Sequence, residues 1–405
     1  MADYRNTLIA FATLALAAAP VAAQDVKIGA LMSMTGDLQV FGEANVKGIE
    51  LAVEQVNEAG GVLDGSEVVI QLGDDQTAAQ PAIDAAQKLV AVEGVAGVIG
   101  ALSSGNTIPV ATSVTSKAGV PQISNASTSP VITTLGDDDF LFRTVPSDAF
   151  TGVALAEVAR DRGYNKVAVF YVNNDYGEGL ADSFAKAFAG EGGEVTSSLP
   201  YEPQKASYRG ELQQLSQGSP EGLVLIAYVE SGVVILRQAL EEGYFDKFIL
   251  TDGMKAPEVI DAIGAEYLNG SIGAVPQALT ETDSYQRFLD AYTAKYGAEP
   301  DKPYVDTAYD ATMVLLLAIE QASTTNGAAV RDALRQVANA PGTQILPGEW
   351  AKAKEAIAAG EDIDYVGASG SIDFDDAGDV SGTFAEWTIE DGMIKTVRVF
   401  EPKTM

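Results

Sequence analysis

Apolar and polar positions along this chain keep two rhythms. Short apolar runs of strand length alternate with stretches in which apolar residues recur every three or four positions, the period of an amphipathic helix. Val26 to Met32 reads as a strand. Gln39 to Ala59 reads as a helix, with Val46, Ile49, Val53 and Val56 on one face and Gly60-Gly61 as its stop. Val68 to Leu72 is the next strand, and Ala78 to Val92 the next helix. Two short buried strands follow, Val95 to Gly100 and Val120 to Ser124, with a helical stretch between them.

The segment Phe140 to Ser147 breaks the rhythm and reads as a crossing, after which the series restarts. Strands are expected at Lys166–Tyr171, Glu194–Leu199, Leu223–Ala227 and Phe248–Leu250, with helices between them. Beyond the apolar run Ile272 to Val275 come helices at Ser284–Tyr296, Asp306–Ser323 and Ala328–Ala338. A β-rich segment from Phe374 then includes a strand at Phe384–Ile389. Two successive βα series, each of domain size, predict an α/β fold of two doubly wound, Rossmann-like lobes, with a ligand cleft between them.

The most informative stretch is Val95 to Thr128. Its two strands end in Ser103-Ser104-Gly105-Asn106-Thr107 and Asn125-Ala126-Ser127-Thr128-Ser129. Such residues also serve as plain helix caps and turn formers. On two adjacent parallel strands they mark the place where open α/β sheets bind ligands. Free N–H groups and the helix dipole there favour an anion, most simply a carboxylate.

Composition narrows the chemistry. Among the 405 residues there is no His and no Cys, which removes imidazole and thiol nucleophiles and the usual zinc ligands. No catalytic or phosphate-binding motif is present, so catalysis, metal and cofactor are not expected. Asp373-Phe374-Asp375 with Gly378 has the start of a calcium loop. Ala377 and Phe384 stand where its later oxygen ligands belong, so it reads as a hairpin turn. The net charge of −32 repels phosphate backbones, so no nucleic acid is expected, and it favours a soluble monomer. Arg5, the apolar Thr7–Ala19 and the small residues Val21-Ala22-Ala23 read as a secretory signal covering residues 1–23, cut before Gln24.

Collinear stretches then carry a family resemblance over nearly the whole remaining chain. They are VKIGALMSMTGDLQVFGEANVKGIELAVEQVNEAGGV, DDQTAAQPAIDAAQKLV, VIGALSSGNTIPVA, VPQISNASTSP, FLFRTVPSD, NDYGEGLA and ILRQA. Together they resemble the periplasmic substrate-binding proteins of ABC transporters, type I, in the Leu/Ile/Val-binding group.

The resemblance implies a Venus-flytrap fold with three crossovers between the lobes. It divides the chain into 24–145 plus 275–366 for lobe 1 and 146–274 plus 367–405 for lobe 2. It implies an amino acid, branched-chain by the group, held in the cleft and delivered to a membrane permease from the periplasm. Residue by residue, Ser104, Ala126 and Thr128 match positions holding the α-carboxylate and helping with the ammonium. Tyr176 matches a tyrosine that arrives on closure, and Asp252 an acidic partner of the ammonium. Tyr228 and Tyr304 match aromatic positions around the ligand side chain, and Phe41 another.

Two departures bear on the side-chain preference: an Asp at 252 where branched-chain binders carry Glu, and Asp306 where some relatives are aromatic. The stretch Ile345 to Tyr365, with Trp350, is longer than in the shortest relatives. The alternative expectations are a binder of short amides or aromatic carboxylates, or a protein presenting ligand to a sensor.

Overall fold

A computed structural model describes residues 24–403, so the expected signal segment lies outside the described residues. Five parallel strands form the first sheet: β1 (Val26–Met32), β2 (Val68–Asp74), β3 (Val98–Gly100), β4 (Gln122–Ser124) and β5 (Leu141–Arg143), in the order β2-β1-β3-β4-β5. The order reverses beside β1, between β1 and β3, which is the switch point where such sheets open a crevice. β3 to β5 are three residues each and entirely buried, as expected of strands covered by helices on both faces.

The second sheet holds β6 (Lys166–Val172), β7 (Glu194–Tyr201), β8 (Gly222–Ile226), β9 (Phe248–Leu250) and β10 (Ile272–Pro276). It also recruits β14 (Phe384–Glu390) and β15 (Met393–Phe400) from the far end of the chain, in the order β15-β14-β10-β9-β8-β6-β7. The last two strands run antiparallel, so a hairpin edges an otherwise parallel sheet.

A small third sheet, β11 (Thr343–Ile345), β12 (Ile363–Gly367) and β13 (Gly370–Ser371), accounts for the long stretch around Trp350. The Trp350 indole is buried and donates to the Gly61 carbonyl at 3.1 Å, which ties this insertion to the first lobe. Asp310, on the central helix Val305–Ala322, anchors it from the other side. Its carboxylate accepts from the Tyr365 hydroxyl and the N–H groups of Ala368 and Ser369 at 2.7 to 2.8 Å.

The chain crosses between the sheets three times: after β5, after β10 and after β13. Two crossings differ from the expected lobe boundaries. β10 stays in the second sheet as far as Pro276, and β13 is still paired with β12 at Gly370–Ser371. We therefore place the lobe boundaries in the connections 277–282 and 372–383. The turn at 375–379 also differs from the hairpin expected of it. It lies inside the third crossing, closed by Asp375 N–H to Asp379 O at 2.9 Å.

Sequence reading missed β5, the helix Asp148–Asp161 and the helix Trp350–Ala359. β5 is missed because FLFRTVPS has an extended pattern that fits a linker equally well.

Candidate ligand site between the lobes

The site is assembled from strand exits. Hydrogen bonds between two lobe 1 loops set its floor: Met34 N–H to Asp74 Oδ1 at 3.0 Å, Ser33 Oγ to Asp75 Oδ1 at 2.7 Å, and Leu38 N–H to Thr77 Oγ1 at 3.1 Å. These fix Leu38 and, one turn into the following helix, Phe41. The loops after β3 and β4 lock together as well. Ser127 Oγ reaches the Leu102 carbonyl at 3.0 Å, and Ser104 Oγ accepts from Ser129 N–H at 3.1 Å. Lobe 2 contributes Tyr176 from a helix capped by Asn174, Tyr228 from the exit of β8, and Asp252 from the exit of β9.

A narrow cavity lies where these groups meet. It is lined by Leu38, Phe41, Leu102, Ser103, Ser104, Ala126, Tyr176, Tyr228, Asp252, Gly253 and Tyr304. It encloses about 350 Å³ between atoms, most of it clearance against the walls.

Seven of the eight sequence candidates line it, and Thr128 does not. The Thr128 hydroxyl instead donates to Asp148 Oδ2 at 2.7 Å, and its carbonyl accepts from Asp148 N–H at 2.7 Å. Thr128 is thus committed to holding Asp148, a residue the sequence reading passed over. The Ser147-Asp148 pair at a helix start is the local signal that could have flagged it, with Ser147 as N-cap. Ser103 lies in the strand exit that the sequence marks, while Leu38, Leu102 and Gly253 were missed as lining, because a cavity wall is a tertiary property.

The lobes are in contact across this cavity. Ser103 Oγ and the Tyr228 hydroxyl are 2.8 Å apart, and Asn174 Nδ2 donates to the same hydroxyl at 3.1 Å. Tyr176 and Tyr228 stack at 5.6 Å between ring centroids. Ser231 of lobe 2 donates to the buried Asp37 of lobe 1. Gly105 sits against Asn174: a Cβ there would lie 3.1 Å from the Asn174 Cβ, so a side chain would wedge the lobes apart. At Gly253 a Cβ would fall 2.4 Å from the Ala227 carbonyl oxygen, and its absence lets the Asp252 loop pack against Tyr228.

Asp252 is the polar centre. Tyr176 O–H donates to Oδ1 at 2.7 Å, and Tyr304 O–H, from the other lobe, donates to Oδ2 at 2.8 Å. Tyr304 itself holds a left-handed backbone at φ +72°, a costly conformation for a bulky residue. Its carbonyl is gripped by Thr307 Oγ1 and Ala308 N–H at 3.0 Å each, which over-determines that shape.

Burial raises the Asp252 carboxyl above the ordinary range. Burial, and after it the negative charge of Asp252, pushes Asp148 up to about 8, although the Thr128 hydroxyl and Arg143 favour the charged form. Asp148 Oδ1 has no partner among the described residues. Two buried carboxyls, one of which raises the other, call for a cation nearby.

This has a pH consequence. The folded chain holds the Asp148 proton that the unfolded chain releases near pH 4, so the unfolded state binds fewer protons between pH 4 and 8. The pair's contribution to ligand-free stability is therefore full at the acid end of that window and is lost as pH rises through about 8. The melting temperature of ligand-free protein should fall across this window, and Asp148→Asn should flatten the fall. An unchanged slope in the variant would show that Asp148 is ionised throughout.

Residues 25–362 match the sequence profile of the family described as periplasmic binding protein. The chain belongs to that family. The periplasmic binding proteins it is similar to include Leu/Ile/Val-binding protein homolog 7 of Brucella abortus, 29% identical, with 82% of this chain and 86% of that one covered. The leucine-, isoleucine-, valine-, threonine- and alanine-binding protein of Pseudomonas aeruginosa is 28% identical over 80% of this chain and 86% of its own. A crystal structure of a leucine-binding protein from Thermotoga maritima superposes with a TM-score of 0.79 at 28% identity, covering 93% and 99% of the two chains. The fold is accordingly that of type I periplasmic binding proteins, as the resemblance in the sequence implied.

Proposed function

We propose that this periplasmic binding protein is the solute-binding component of an ABC importer, with no catalysis of its own. It carries an amino acid, of the branched-chain group, in the interlobe cavity to a membrane permease. One observation carries the reading: the buried carboxyl of Asp252 lines a cavity whose lining contains no Lys or Arg, and its negative charge also raises the buried Asp148. An ammonium supplies the missing positive charge.

The other requirements of an amino acid are met by the remaining walls. Ser103 and Ser104, with the first N–H groups of the helix that Ser104 opens, suit the carboxylate. Leu38, Phe41, Leu102 and Ala126 offer an apolar wall to an aliphatic side chain. The narrow space means the lobes part to admit the ligand and close over it. Closure is then favoured because Tyr176, Tyr228 and Asp252 reach the ligand only in the closed state. Relatives named as binders of leucine, isoleucine and valine support the branched-chain preference. Export rests on the signal pattern of residues 1–23, and passage to a permease on the family.

A thermal-shift screen of ligand-stripped protein starting at Gln24 tests the reading. Leu, Ile or Val at a hundred times its Kd should add about 2.7 kcal/mol of stability. Their deaminated acids should add nothing. A response to amides or benzoates alone would leave the fold standing and remove both the amino acid and the ammonium role of the carboxyls.

A further inference from the structure

The two loops that build the inner cavity also line a second, larger space. On its outer side, between the lobes, lies an open cleft of about 1450 Å³ bounded by Lys255, Ile260, Tyr285, Phe288, Asp306 and Ile394, with Tyr304 as the wall shared with the inner cavity. Lys255 lies three residues beyond Asp252, and Asp306 two residues beyond Tyr304. Each loop thus points one polar group inward and one outward.

The outward groups are unsatisfied in a complementary way. Lys255 makes no ion pair within 4.0 Å among the described residues, and its Nζ finds only Gln277 Oε1 at a long 3.4 Å. Among the described residues, Asp306 receives a hydrogen bond only from the N–H of its neighbour Thr307, at 2.9 Å. The cleft's other cation, Lys302, is already engaged by Glu258 at 3.0 Å and Asp301 at 2.9 Å.

Burial draws the Lys255 ammonium down to about 8 and raises the Asp306 carboxyl; each is a counter-charge to the other, but burial outweighs that attraction and they form no direct ion pair. The two cannot simply collapse together without moving the inner site. Asp252 is held by Tyr176 and Tyr304, and Tyr304 is locked at φ +72°.

We propose that this outer cleft is a second binding site for an aromatic zwitterion, whose carboxylate meets Lys255 and whose ammonium meets Asp306. A lone anion is disfavoured, because Asp261, Glu299 and Asp301 also line the cleft. A lone cation leaves Lys255 uncompensated. Tyr285 and Phe288, with rings 6.3 Å apart, and Ile260 and Ile394 give the apolar body its wall. Lys255 belongs to lobe 2 and Asp306 to lobe 1, so the occupant bridges the loops that inner-site closure brings together. Occupancy of either site therefore favours the other.

The test is calorimetric titration with L-phenylalanine, on the ligand-stripped protein and on Asp252→Ala, in which the inner site is disabled. L-phenylalanine should bind the Asp252→Ala protein. Adding Lys255→Met or Asp306→Asn to it should weaken that binding about tenfold, as should replacing the probe by 3-phenylpropionate or phenylethylamine. Melting curves confirm that each variant folds.

The proposal is overturned if L-phenylalanine does not bind Asp252→Ala up to its solubility, or binds regardless of Lys255 and Asp306. It is also overturned if Lys255→Met only lowers the affinity of the inner site with no second binding event, since the two groups would then be a brace between the lobes. Failure of the amino-acid reading looks different: wild-type binding would then be indifferent to Asp252.

Discussion

Asp252→Ala should weaken amino-acid binding by at least a hundredfold, on the order of 3 kcal/mol or more. The ligand ammonium loses a buried counter-charge. At the same time the hydroxyls of Tyr176 and Tyr304 lose the acceptor they share from opposite lobes, at 2.7 and 2.8 Å. The closed state is therefore hit twice, once through the ligand and once through the lobe-to-lobe bond.

Asp252→Asn separates these effects. It keeps one oxygen for a tyrosine and removes the charge, so its affinity should fall between those of wild type and Asp252→Ala. Calorimetric titration with the best ligand from the thermal-shift screen measures both. A tenfold loss or less in the alanine variant would show that Asp252 does not hold the ammonium. Asp252→Glu is also informative, because a longer carboxylate pushes the ammonium partner outward by about one methylene. The variant should retain binding while changing the order of preference among Leu, Ile and Val.

The second large effect is on stability. Arg143 is fully buried, and its guanidinium grips Asp379 in a fork, Nε to Oδ1 at 2.6 Å and an Nη to Oδ2 at 2.7 Å. The same side chain donates to the Ser129 carbonyl at 2.9 Å and the Thr133 hydroxyl at 2.9 Å. One residue at the end of β5 thus joins the ligand loop after β4 to the third crossing between the lobes.

Arg143→Met strands the Asp379 carboxylate in the interior and should cost about 3 to 5 kcal/mol. Asp379→Asn should cost less, since a neutral acceptor remains. Arg143→Met combined with Asp379→Leu should be less destabilising than Arg143→Met alone, because the stranded charge goes with it. Denaturant unfolding of ligand-free protein measures all three. Equal stability of wild type and Arg143→Met would mean that water reaches the pair and compensates it.

Ligand affinity should also drop in Arg143→Met, through the loop 126–129, even though Arg143 is outside the cavity lining.

Much of this molecule can be read from the chain. A short apolar run and a period of 3.6 place β1 and the helix Gln39–Glu58 to within a residue, because a fully buried strand and a long amphipathic helix each leave a clear pattern. The small hydroxyl residues after Val98–Gly100 and Gln122–Ser124 mark the ligand crevice, because the exits of adjacent parallel strands lie side by side. Tyr176, Tyr228, Asp252 and Tyr304 are legible through collinear family stretches. No local pattern distinguishes them from packing aromatics or a turn aspartate.

Other features exist only once the chain is folded. The cavity wall at Leu38, Leu102 and Gly253 arises from contact between lobes far apart in sequence. Thr128 turns from the ligand to Asp148, because a buried hydroxyl takes the nearest strong acceptor, and only the fold decides which acceptor is near. The pairing of Asp148 with Asp252, 104 residues apart, is the clearest case. The sequence by itself determines the two lobes, the absence of imidazole and thiol chemistry, and the strand exits that form the candidate site. The tertiary structure alone decides which buried carboxyls come near each other and which cations are left without an ion pair. Charge interactions depend on distance and burial, and neither is written along the chain.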